Sequence, residues 1–362
     1  MGADNSPASG GVARVEPVAR EPVAVEPVAA AGVAVESVAA EPVAAEPVAA
    51  AGVRERTATI PELLASGKPA FSFEFFPPAD DAGQEQLWLA LKLLQPLEPD
   101  FVSVTYGANG STRQRTLDLT SRLARETALR TVGHLTCASQ SVAELVDVVH
   151  RYGAAGVDHV LAVRGDMPGG ATVPWERHPS GLGNATELVR LVKREGDFHV
   201  GVAAFCDPHP QRRDPALDAR LLLDKEEAGA EFAITQLFFR AASYFELVER
   251  VRELGCSLPI VPGIMPITRL GQVTRFAELS GAPIPDSVVA RLGHVADDPA
   301  SVREVGTEVA AELAQELLDG GAPGLHFFTQ NRSVATRAIW AGLAPASARA
   351  RPGGPLPATD DS

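Results

Sequence analysis

The strongest constraint on the fold is an alternation. From about Arg54 to Leu343, short apolar runs take turns with longer amphipathic stretches. The runs are Ala70–Phe75, Phe101–Thr105, Thr131–Thr136, His159–Arg164, His199–Phe205, Phe232–Phe238, Ile260–Ile264 and Gly324–Thr329. Most are continuously apolar, the pattern of strands buried on both faces of a parallel sheet. Between them the helical period recurs in Gln84–Leu94, Thr116–Glu126, Val142–Ala154, Thr186–Arg194, Leu217–Ala228, Tyr244–Glu253, Gly271–Leu279 and Ser301–Leu318, and Val334–Gly342 closes the series. Gly156, Gly229 and Gly255 stand where helices should stop. Eight strand–helix units in about 290 residues predict an α/β fold, a (β/α)8 TIM barrel. A doubly wound open sheet is the alternative, but no GxGxxG follows any run.

The flanks read differently. Residues 16–53 repeat with a period of five (EPVAR, EPVAV, EPVAA), and Val recurs at 18, 23, 28, 33, 38, 43, 48 and 53. That period suits neither helix nor strand, and frequent proline breaks both. Residues 1–53 are therefore expected to be a disordered, partly polyproline-II arm, 54–343 the catalytic barrel, and 344–362 a disordered tail.

A net charge of −14 argues against nucleic-acid and anionic-membrane partners. No apolar run is long enough for a transmembrane helix, and the Pro- and Glu-rich start does not read as a signal peptide. Cys137, Cys206 and Cys256 are widely spaced, which fits reduced thiols and a cytoplasmic location.

Barrel chemistry sits at the C-terminal strand ends, and here those ends are polar. The first run, FSFEFFPP, carries Glu74. The others bring Thr105-Tyr106-Gly107-Ala108, His134 with Thr136, Arg164-Gly165-Asp166, Asp207-Pro208-His209, Thr235-Gln236 and Thr329-Gln330-Asn331-Arg332. Taken singly, Glu74 reads as an ion-paired strand residue and a strand-end His as structural. Together they describe a polar pocket with apolar walls, suited to a heteroaromatic ligand and one acid. No HxxxH or HExxH spacing supports a metal, and with no redox group of its own the pocket calls for a cofactor in any difficult reaction.

FSFEFFPP (71–78), FVSVTYGANGST (101–112), HLTC (134–137), LAVRGD (161–166), AITQLFF (233–239), PGIMPIT (262–268) and GLHFFTQNR (324–332) resemble methylenetetrahydrofolate reductases in order and spacing. The resemblance spans about Thr57–Leu343 and implies a flavin-containing barrel that reduces 5,10-methylenetetrahydrofolate with NADH or NADPH, supplying methionine synthesis. It implies a catalytic pair, Glu74 as the acid that protonates folate N10 and Asp166 beside flavin and pterin. Substrate contacts fall on Gln236, Gln272, Phe276 and Arg332. FAD contacts fall on Thr105, Ala108, His134, Arg164, Asp166, Ala203, His209, Asp218, Lys225 and Ile234. The phenylalanines around Glu74 are expected to desolvate it and raise its pKa. The family forms dimers or tetramers, so a homo-oligomer is implied.

Three positions depart from the family pattern: Asn184 and Phe205 where Tyr is common, and Gln330 for a usual Leu. They bear on FAD retention. Flavin-independent hydride transfer, or a folate-binding barrel such as a corrinoid methyltransferase, are the alternatives.

Overall fold

The computed structural model describes residues 58–106, 110–168 and 173–343. The repeat arm, the C-terminal tail and Ala108 lie outside the described residues. The described chain forms the expected parallel barrel. Its strands are β1 (Ala70–Phe75), β2 (Phe101–Val104), β3 (Thr131–Thr136), β4 (His159–Val163), β5 (His199–Ala204), β6 (Phe232–Thr235), β7 (Ile260–Val261), β8 (Gly263–Ile264) and β9 (Gly324–Phe328). They make one nine-stranded sheet in the order β7-β6-β5-β4-β3-β2-β1-β9-β8, with every pairing parallel.

The seventh run differs from its expected form. Pro262 divides it, because proline has no N–H to give a ladder. The β7 half pairs with β6 and the β8 half with β9, so this one position joins the two ends of the sheet into a nearly closed ring. The Pro262 carbonyl accepts from His326 N at 2.9 Å, and Gly263 N donates to Thr235 Oγ1 at 2.8 Å. Side chain and backbone thus replace the missing rung. A Cβ on Gly263 would lie 2.6 Å from the Phe328 ring, so only glycine lets that ring fold over the strand.

The sixth run also stops early. Strand β6 ends at Thr235, not Phe238. Leu237 and Phe239 leave the sheet for a separate apolar cluster with Met265, Ile267 and Val273.

A further helix, Ile60–Ala65, precedes β1 with a capping box between Thr59 and Glu62. Ile60 and Leu64 pack with Ala70, Phe101, Val132, Leu161 and Phe232, residues at or near the N-terminal starts of their strands, and so plug the barrel at that end. Ile60 N donates to Nε2 of His159, the first residue of β4. Asp286–Gly293 is a second helix absent from the sequence reading. Among the described residues no helix is long and apolar enough to cross a membrane.

Alternation along β1 separates its two roles. Phe71 and Phe73 face outward onto Trp340, with ring centroids 4.7 and 6.3 Å away. Ser72 and Glu74 face the barrel interior, level with Phe101 and Ser103 on one side and His326 and Phe328 on the other.

Candidate active site

A cavity of about 330 Å³ opens among the C-terminal strand ends, within the size range of small-molecule sites. Glu74, Thr105, His134, Arg164, Asp166, Ala203, His209, Lys225, Ile234 and Gln236 all line it. Asn184 and Phe205 line it too, as do Arg212 and Phe328, which the sequence reading did not single out.

Glu74 is buried, and its carboxylate meets its polar neighbours through one oxygen. Ser103 Oγ lies 3.5 Å from Oε2 and His326 Nε2 3.4 Å from it. His134 Nε2 stands 3.5 Å from the same oxygen without hydrogen-bond alignment, so that buried nitrogen has no hydrogen-bond partner among the described residues. The expected phenylalanine shell is not what surrounds the acid. Phe71 and Phe73 belong to the outer layer, and the acid's nearest polar neighbours are imidazoles and a hydroxyl. Burial pushes its pKa up, but hydrogen bonds from His326 and Ser103, with the charge effect of both imidazoles, outweigh burial and hold it below the ordinary value. Burial drives His134 down to about 4, against the pull of Glu74, which leaves it a neutral imidazole near pH 7.

Part of the lining is cationic. Arg164, Arg212 and Lys225 belong to it, together with the imidazole of His209. Burial, then Arg212 and Arg164, lower His209 to about 4, and burial, then Arg212, lower Lys225 to about 8. Lys225 Nζ donates to Ala203 O at 2.8 Å. Arg164 donates to Gln211 Oε1 at 2.9 Å and lies 5.5 Å from the centre of the Trp175 ring. Asp218 does not line the cavity. Its Oδ1 accepts from Arg212 at 2.6 and 2.8 Å and its Oδ2 from His209 N at 2.9 Å, so it builds the wall from behind. Mutually repelling cations with a single buried carboxylate suit a polyanionic ligand such as a dinucleotide pyrophosphate. The unpartnered His134 nitrogen suits a polar ring or chain above Glu74.

Gly165 carries the chain between Arg164 and Asp166 at φ +79°, where a Cβ would come 2.6 Å from that of Thr136. Asp166 and Gln236 are exposed at the cavity wall, and Gln236 Oε1 accepts from Leu237 N at 2.8 Å.

Three expected substrate residues stand apart from the cavity lining. Gln272 and Phe276 lie on the helix Leu270–Ser280, where Phe276 packs on the same apolar cluster as Phe328. Gln272 Oε1 accepts from Thr268 Oγ1 at 2.9 Å, and its Nε2 donates to Gln330 Oε1. Arg332 is exposed beyond β9.

The methylenetetrahydrofolate reductase family model matches residues 59–344, the whole barrel with its pocket. The chain belongs to the methylenetetrahydrofolate reductase family. Its barrel is 35% identical to the 5,10-methylenetetrahydrofolate reductase of Pectobacterium carotovorum, over 75% of this chain and 89% of that protein. It is 35% identical to the Escherichia coli K12 enzyme, over 75% of this chain and 90% of that one. Methylenetetrahydrofolate reductase 2 of Saccharomyces cerevisiae is 34% identical over 74% of this chain but only 45% of its own length. Among solved structures, an uncharacterized Clostridium thermocellum protein that binds two copies of 5-methyl-5,6,7,8-tetrahydrofolic acid shares the fold, at 14% identity and a TM-score of 0.54 over 78% of this chain and 96% of that one.

Two departures from the family pattern have local explanations. Asn184 caps the helix Ala185–Glu195 by accepting from Glu187 N at 2.9 Å. Phe205 packs its ring on His209, centroids 4.7 Å apart.

Proposed function

We propose that this protein reduces 5,10-methylenetetrahydrofolate to 5-methyltetrahydrofolate with electrons from NADH or NADPH and with FAD as bound cofactor. Family membership over the full barrel, together with a buried carboxyl facing the cavity, is the observation that carries the reading. When bound, the flavin would supply hydride acceptance and donation. Arg164, Arg212, His209 and Lys225 would hold its pyrophosphate. His134 would meet the ribityl chain or ring with its open nitrogen.

Glu74 would present a proton to folate N10, opening the methylene bridge. Its resting carboxyl is held below the ordinary value, so this role needs the bound ligands to favour the protonated form. Asp166 would stand beside flavin and pterin and balance positive charge developing on the folate. Gln236 can donate to and accept from a pterin edge once its amide leaves Leu237. Gln272, Phe276 and Arg332 would hold the remainder of the folate or the nicotinamide. With this reading go a cytoplasmic location, a homo-oligomeric state and supply of methyl groups for methionine.

The test is a visible spectrum of purified protein, NAD(P)H oxidation with menadione, and chromatographic detection of methyltetrahydrofolate. A flavin spectrum bleached by NAD(P)H, with product formed, supports the reading. A colourless protein that still forms product points to direct hydride transfer. No product and no NAD(P)H oxidation would overturn it in favour of a folate-binding or methyltransferase barrel.

A further inference from the structure

Below Glu74 the barrel interior holds a polar group that barrel packing does not require. Ser72, Ser103 and His326 are fully buried, on β1, β2 and β9. Ser72 Oγ lies 2.7 Å from His326 Nδ1 and 3.4 Å from Leu325 O. His326 Nε2 lies 3.4 Å from both Ser103 Oγ and Glu74 Oε2. Phe101 stacks on the imidazole, centroids 5.9 Å apart, and Phe328 meets it edge-on at 5.5 Å. The ring is held between two phenylalanines and cannot turn away from the acid.

The contact with Glu74 favours one tautomer. An ionised Oε2 only accepts, so a lone pair on Nε2 would face another lone pair. Ser72 has one hydroxyl proton for two acceptors, Nδ1 at 2.7 Å and Leu325 O at 3.4 Å, and the tautomer that faces Oε2 with a proton has Ser72 give it to the nearer, Nδ1. When the ring carries a single proton, that proton then sits on Nε2 and donates to Glu74. Every hydrogen-bond or ion-pair contact of the Glu74 carboxyl among the described residues falls on Oε2: Ser103 from β2, His134 from β3 and His326 from β9. Oε1 has none.

We infer that His326, fixed by Ser72, is a positioning residue that keeps Glu74 Oε2 an acceptor and leaves Oε1 as the oxygen that carries the proton toward the cavity. This rests on reading Glu74 as the acid. Protonation then adds one O–H bond at Oε1 and leaves the Nε2–H···Oε2 contact intact. Delivery breaks that O–H bond, the proton leaves for the substrate nitrogen, and the carboxylate returns to two donors on Oε2.

The test uses the full chain labelled with ¹⁵N-imidazole histidine, at about pH 8, where an ordinary imidazole is neutral. The signal assigned by its loss in His326→Gln should carry the Nε2–H pattern, and Ser72→Ala should move its Nδ1 shift. An Nδ1–H pattern would overturn the inference, because Nε2 would then accept from a proton on Oε2. In parallel, His326→Leu should lower folate reduction 10- to 100-fold and displace its pH profile, with NAD(P)H–menadione turnover changed less than about twofold. His326→Gln, which keeps an N–H donor, should recover most of the loss. Equal losses in Leu and Gln variants with an unmoved profile would also overturn it. The histidine spectrum needs no folate turnover, so an inactive protein with the Nε2–H pattern would fail the reductase reading and leave the tautomer standing.

Discussion

Asn331 holds Phe76 at two points: its Oδ1 accepts from Phe76 N at 2.8 Å and its Nδ2 donates to Phe76 O at 2.9 Å. The amide acts as a strand would, stitching the exit of β9 to the exit of β1 just past Glu74. Thr329 completes the seam by donating from its hydroxyl to Glu74 O at 2.6 Å. Asn331 takes φ +56°, a left-handed conformation that asparagine tolerates better than most residues. Asn331→Ala should therefore cost roughly 1–3 kcal/mol, read as a lower denaturant midpoint at unchanged slope. Asn331→Asp should do no better, since a carboxylate cannot donate to Phe76 O.

Glu74→Gln keeps the shape of the site and removes its titratable proton. Folate reduction should fall 10²- to 10⁴-fold, the usual range for a lost general acid. NAD(P)H oxidation with menadione should persist. Stopped-flow measurement of the two half-reactions separates these outcomes, and loss of both in a folded, flavin-loaded protein would remove the acid-only role.

Lys225 gives the cationic wall a pH dependence. Its folded pKa of about 8 lies below the lysine value of 10.5, so between those limits the unfolded chain binds the extra proton. The destabilisation from the buried ammonium is complete below about 8 and relieved as pH rises toward 10.5. An anion in the cavity favours the ammonium, so affinity for inorganic pyrophosphate should weaken as pH climbs above about 8. Calorimetric titration should show up to a tenfold loss per pH unit. Lys225→Met should bind weakly at pH 7 and lose that slope.

Gln330 restrains a residue expected to meet substrate. It takes φ +54°, accepts from Gln272 Nε2, and leaves its own buried Nε2 without a hydrogen-bond partner among the described residues. Gln330→Leu should release Gln272 and remove the orphan donor. The expected result is a gain of about 1 kcal/mol in stability and a lower KM for the folate, measured by thermal melts and steady-state kinetics.

Much of the barrel could be read from runs of apolar residues, with β1 and β3 at their expected ends, because strands buried on both faces leave a period-free signature. Length was less legible. The run through Phe238 stays apolar after it leaves the sheet, since Leu237 and Phe239 bury themselves in another cluster, and hydrophobicity alone does not say which core a residue joins. Pro262 carried a readable warning inside IVPGI. The helix Ile60–Ala65 is too short to show a period, although the Thr59–Glu62 capping box marks its start. Strand-end chemistry pointed to most of the cavity lining. Arg212 had no motif around it, and its place depends on Asp218 reaching back from the next helix. His326 looked like a stray polar residue in GLHFF, because its register with Ser72 exists only once the barrel closes.

That closure sets an order of events. His326 and Glu74 are 252 residues apart in the chain yet share one hydrogen-bonding contact. Until the last strand docks beside the first, the carboxylate lacks its His326 donor and has only Ser103 from β2 to hydrogen-bond it. Contacts between residues far apart in the chain are slow to form, because loop closure costs entropy before the contact repays it. The Glu74–His326 contact is therefore expected late in assembly, and a chain stalled before β9 would hold most of a barrel with this buried carboxylate short of one donor.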